Sequence, residues 1–99
     1  MSLKIEKNHW VWVVIQDPGD NERLLGQLDE EKDITFVPTV IDKETAQECF
    51  LKIERQKGHK YEVQAIIYED LLALGADNEF SIFILDSAGK LLEAVEPEQ

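Results

Sequence analysis

Residues 9–16 read His-Trp-Val-Trp-Val-Val-Ile-Gln, and no other stretch restricts the fold of this 99-residue chain as tightly. β-branched and aromatic side chains suit a pleated backbone, so the segment is expected to be a strand. Trp10 and Trp12 share one alternating face; Val11, Val13 and Ile15 line the other. A strand half in water alternates apolar with polar residues, whereas a strand apolar on both faces is covered on both. This one is expected at the centre of a sheet. Asp17-Pro18-Gly19-Asp20-Asn21 then stops it with five consecutive turn formers.

The remaining elements follow from the same patterns. Residues 22–28 are ambiguous between a short helix and a short strand, with strand favoured. Residues 29–32 form a charged turn, and 34–37 a second clear strand ended by Pro38. Residues 24–28 and 34–37 would then make a hairpin. Asp42 has the chemistry of an N-cap for a helix over 43–57. Ala46, Cys49, Phe50 and Ile53 recur along it at helical spacing and make one buried stripe. Lys52, Arg55 and Lys57 complement the helix dipole in the last turn, and Gly58 is the expected left-handed stop.

Residues 60–68 read as a strand with Tyr61, Val63, Ala65 and Ile67 on one face, joined in parallel to the strand before the helix. Residues 70–74 give one or two helical turns closed by Gly75. Residues 80–85 and 91–95 flank Asp86-Ser87-Ala88-Gly89 as a hairpin with Gly89 at positive φ. The order is β-β-β-α-β-α-β-β. It predicts one α+β domain over residues 1–99: a mixed β-sheet of five to six strands, with one long and one short helix mainly on one face. Residues 1–7 and 96–99 are expected to be loose.

Composition bears on partners. The chain has 21 acidic and 10 basic residues, a net charge of −11, which repels phosphate backbones. Nucleic acid and anionic membrane are therefore not expected as partners; a basic protein surface is the complementary choice. No run of about 18 apolar residues suggests a span. One cysteine fits a reducing compartment, and Met1-Ser2-Leu3-Lys4 lacks the apolar core of a signal peptide, so the cytoplasm is expected.

Chemistry is harder to find. Cys49 falls inside the apolar stripe, where a thiol is desolvated and inert. His9 and His59 show no metal-ligand spacing, and the five glycines never cluster into a phosphate cradle. The loop of Asp17, Asp20, Asn21 and Glu22 is rich in oxygen ligands but lacks the alternation and distant bidentate Glu of an EF-hand. It follows a strand's carboxyl end, which makes it the first choice for a contact loop. Lys52, Arg55, Lys57, His59 and Lys60 form the basic cluster of the sequence. It either matches the helix terminus and solvent, or docks an anion or an acidic patch of another copy. Leu51 points away from the buried stripe. No catalytic residue, cofactor or metal ligand is assigned.

Ile34-Thr35-Phe36-Val37-Pro38-Thr39-Val40, followed by Asp42-Lys43-Glu44-Thr45-Ala46, resembles the strand and acidic helix start of SseB-type domains. Glu69-Asp70-Leu71-Leu72 and the strand at 80–85 follow in matching order, with Val40 in place of an aromatic residue. The run 13–22 resembles a small uncharacterised domain family of cyanobacteria and plastids. These resemblances cover about half of the chain and imply a small α+β module without assigned catalysis.

The functional expectation is a non-enzymatic interaction or regulatory accessory domain. The alternative is a small-ligand-binding regulator using the loop from Asp17 to Glu22. With both helices on one sheet face, the other apolar set would lie in water, a patch beyond what monomers tolerate. Two remedies are open: a homodimer or protein partner covering the face of Trp10 and Trp12, or a lid made by 22–28 and the N-terminal arm.

Overall fold

The computed structural model of the chain describes residues 5–50 and 57–97. Its elements run β1 Trp10–Gln16, β2 Arg23–Leu24, β3 Gln27–Asp29, β4 Ile34–Thr39, α1 Lys43–Cys49, β5 Tyr61–Ile67, α2 Tyr68–Asn78, β6 Ser81–Leu85 and β7 Leu91–Val95. The α+β class is as expected, but the described residues form seven strands in two sheets rather than five to six in one, partly because the ambiguous segment at 22–28 divides into short strands. The described strands form a three-stranded sheet in the order β2-β1-β5 and a four-stranded sheet in the order β3-β4-β6-β7. An antiparallel bridge joins them: Trp12 N–H donates to Val40 O at 2.8 Å, and Val40 N–H to Trp12 O at 3.1 Å.

β1 is central, as its double-sided apolar pattern requires. Val11, Val13 and Ile15 enter a cluster with Val37, Leu71, Ile82 and Ile84, while Val14 enters a second cluster with Val40, Ala46, Cys49 and Phe50. Tyr68 and Leu71 bring α2 to the first cluster; Ala46 and Cys49 bring α1 to the second. The helices thus cover opposite faces of β1, which corrects the expectation of both mainly on one face. An all-apolar strand cannot leave either set of side chains in water.

The hairpins β3–β4 and β6–β7 form where turn chemistry places them. Asp86 Oδ1 accepts from Ala88 N at 3.0 Å and Lys90 N at 2.8 Å, and Gly89 has φ +83°. The parallel pairing differs from expectation. β4 pairs in parallel with β6, and β5 pairs antiparallel with β1 along its whole length. α1, β5 and α2 together make the crossover.

α1 begins as expected: Asp42 accepts from Thr45 N–H at 2.8 Å. The expected continuation through Leu51, Lys52, Ile53 and Arg55 falls outside the described residues. Lys57 stands in a turn with Gly58 at φ +88°. α2 is longer than its expected turn at 70–74 and passes through Gly75; the left-handed stop is Glu79, φ +57°. Gly75 serves packing instead, because a Cβ there would lie 3.1 Å from Phe80 O and 3.3 Å from its ring.

Ile5 packs on the first cluster, and Lys7 O accepts from Glu69 N at 2.9 Å. Leu24 joins the same cluster and Leu25 the second. No described helix is long and apolar enough to cross a membrane.

Candidate functional site

The antiparallel pairing of β1 with β5 brings the loop at 17–22 against the turn at 57–60, uniting two sequence candidates. Asp17 has φ +54°, which turns its carbonyl out of the ladder to accept from Asp20 N at 3.0 Å. Its N–H still donates to Lys60 O at 2.7 Å. Its carboxylate replaces the diverted carbonyl, Oδ1 accepting from Lys60 N–H at 3.1 Å. Oδ2 accepts from His59 Nδ1 at 2.7 Å. The His59 bond, then the Lys60 amide, hold the Asp17 carboxyl below the ordinary aspartate range. Asp17 is thereby explained as a latch between two loops.

Glu22 and Arg23, beyond that latch, open onto a cleft of about 560 Å³. Its walls are Val13 and Ile15 of β1, Leu24 of β2, Val37 of β4, and Gln64, Ala65 and Ile66 of β5. Leu74 and Asn78 of α2, with Phe80 after it, complete the lining. The register pairs Gln64 with Val13, so its carboxamide shares the face of the first cluster. Gly75 permits the close return at Phe80 that shapes this end. The result is an apolar trough with Glu22, Arg23, Gln64 and Asn78 as its polar groups, a size and chemistry suited to a small ligand.

A second cleft, about 570 Å³, lies on the four-stranded sheet. Phe36 and Phe83 stack there with centroids 4.2 Å apart and planes 13° apart, beside Pro38, Leu85 and Leu91. Cys49, 1% exposed, contributes to its lining. The cysteine sits in the apolar stripe that its spacing implied.

The other candidates disperse. Trp10 is 55% exposed, whereas Trp12 is half-buried against the second cluster. Asp20, Asn21, Lys57 and Lys60 are exposed around the latch. Leu51 and Arg55 lie outside the described residues. Among the described residues, no three His, Cys, Asp or Glu side chains gather into a metal-binding group. Gln64 and Asn78 escaped the sequence reading. The available signal was Gln64 itself, a carboxamide inside the apolar run Val-Gln-Ala-Ile-Ile.

No family model, no curated protein and no solved structure matches this chain.

Proposed function

We propose that the chain is a non-enzymatic regulatory accessory domain that binds a small, predominantly apolar ligand in the cleft between β1–β5 and α2. The observation that carries this reading is the cleft's make-up: an apolar trough of about 560 Å³ with four polar side chains, two of them at the end of the contact loop. Such troughs orient ligands through a few hydrogen bonds while burial supplies the affinity. A protein-docking role is the second reading, favoured by Trp10, Leu91 and Leu92 at 55%, 44% and 46% exposure.

A thermal-shift screen of apolar metabolites tests the first reading. A ligand at a hundred times its Kd stabilises by about 2.7 kcal/mol, which in a domain this small raises Tm by about 10 °C or more. Leu74→Trp places an indole on the α2 wall of the cleft and should abolish the shift while the fold persists. An equal shift in that variant, or no shift across the screen, would refute the reading.

A further inference from the structure

Four strand edges end the two sheets, and three of them are poor templates for another strand. β2 has two residues and β3 three, while β7 carries Glu93 at its middle and opposes a register irregularity in β6. β5 differs. It is seven residues long, has Glu62 as its sole charge and contains no proline or register shift. Among the described residues, no strand lies on its outer side. Long, regular edges without lysine, proline or a bulge are those that pair with further strands.

The ladder shows which groups face outward. Asp17 N–H bonds Lys60 O, and Tyr68 N–H bonds His9 O, so the pairs bonded to β1 are those of Glu62, Gln64 and Ile66. The N–H and C=O groups of Val63, Ala65 and Ile67 therefore point to the open edge. Full overlap of two antiparallel β5 strands centres on Gln64, the middle residue of Tyr61–Ile67. In that register Glu62 meets Ile66 of the second copy rather than its own like charge, and Val63 bonds to Ala65. The ends match as well. The turn carrying Lys57, His59 and Lys60 comes beside Glu69 and Asp70 in the acidic first turn of the second copy's α2, and does so twice.

We infer that β5 pairs antiparallel with β5 of a second copy, about a two-fold axis through Gln64, to make one continuous six-stranded sheet. The basic island of the sequence meets an acidic patch of its own kind there, which distinguishes a second copy from a foreign strand.

Sedimentation equilibrium from micromolar to hundreds of micromolar should show the mass rising from 11.4 kDa toward twice that value. Ala65→Pro removes an outward N–H from an edge that tolerates proline, and should leave a monomer. On the axis, Gln64 and its mate form a non-hydrogen-bonded pair with Cα atoms about 4.5 Å apart, within disulfide reach. Gln64→Cys should therefore oxidise to a covalent dimer, while Glu62→Cys, about 14 Å from its mate, should not. Lys60→Glu and Glu69→Lys should each weaken the dimer at least tenfold, and mixing the two variants should restore it. A monomer at the highest concentration overturns the inference. So does a dimer that survives Ala65→Pro, or one whose Gln64→Cys form stays unlinked.

Discussion

Asp17 holds two loops together because its left-handed backbone and its carboxylate act on the same neighbour. The carbonyl is turned to Asp20, and the carboxylate takes the Lys60 amide that the carbonyl gave up. Its acidity is raised by the bond from His59. Between the native value and the ordinary one, the unfolded chain binds the extra proton, so stability rises with pH across that window. The contribution is complete above the ordinary aspartate value of about 3.9 and is lost as pH falls through the lower native value. Asp17→Asn should lower stability at neutral pH and flatten the acid limb of a urea-midpoint profile; an unchanged limb would remove Asp17 from this role. Gly75 sets a second test at this scale. Gly75→Ala gains up to about 1 kcal/mol of helix propensity but presses a methyl on Phe80 O, a main-chain atom that moves little. A net loss of about 1 kcal/mol is expected in chemical denaturation, and a gain would show that Phe80 gives way.

At the scale of elements, the cap of α1 is the cleanest case. Asp42 accepts the Thr45 amide at 2.8 Å, and that bond keeps its carboxyl below the ordinary range. Asp42→Ala should cost about 1 kcal/mol and Asp42→Asn much less, since either oxygen can accept the amide. This cap, the central strand and both hairpins were legible because each rests on residues adjacent in sequence. The partner of β5 was not legible. Strand–helix–strand order suggests parallel pairing, but the loop chemistry that sets β5 against β1 joins Asp17 to Lys60 across 43 positions. The end of α2 was misread because Gly75 resembles a helix stop, and its real reason, the return of Phe80, is a tertiary contact. The cleft was invisible for the same cause: Val13, Ile15 and Ile66 read as core, and only the fold leaves a trough above them. Gln64 was the exception, a polar residue at a core-facing register that propensity alone does not explain.

For the molecule as a whole, charge decides how stability answers the solvent. The net −11 must be carried on a chain whose radius of gyration is 12.7 Å, well inside the screening length of about 30 Å at 10 mM salt. The compact state therefore repels itself more than the expanded one does. Among the described residues the contact between a basic and an acidic side chain is that of His59 with Asp17, so salt has little attraction to weaken and much repulsion to screen. Raising potassium chloride from about 10 mM to about 200 mM should stabilise the fold by on the order of 1 kcal/mol, about 4–8 °C in Tm. The gain should level off beyond that range, because screening is by then shorter than the spacing of most surface charges. Acid acts on the two bonds that need a carboxylate. The Asp17 and Asp42 carboxyls lie below the ordinary aspartate range, so as pH falls through about 3.9 the unfolded chain takes up protons first and stability should fall. Tm measured over pH at low and high salt separates the two effects, since salt should raise the neutral region and leave the acid fall in place. A Tm lowered by the first 200 mM of salt would show that attraction rather than repulsion governs this surface.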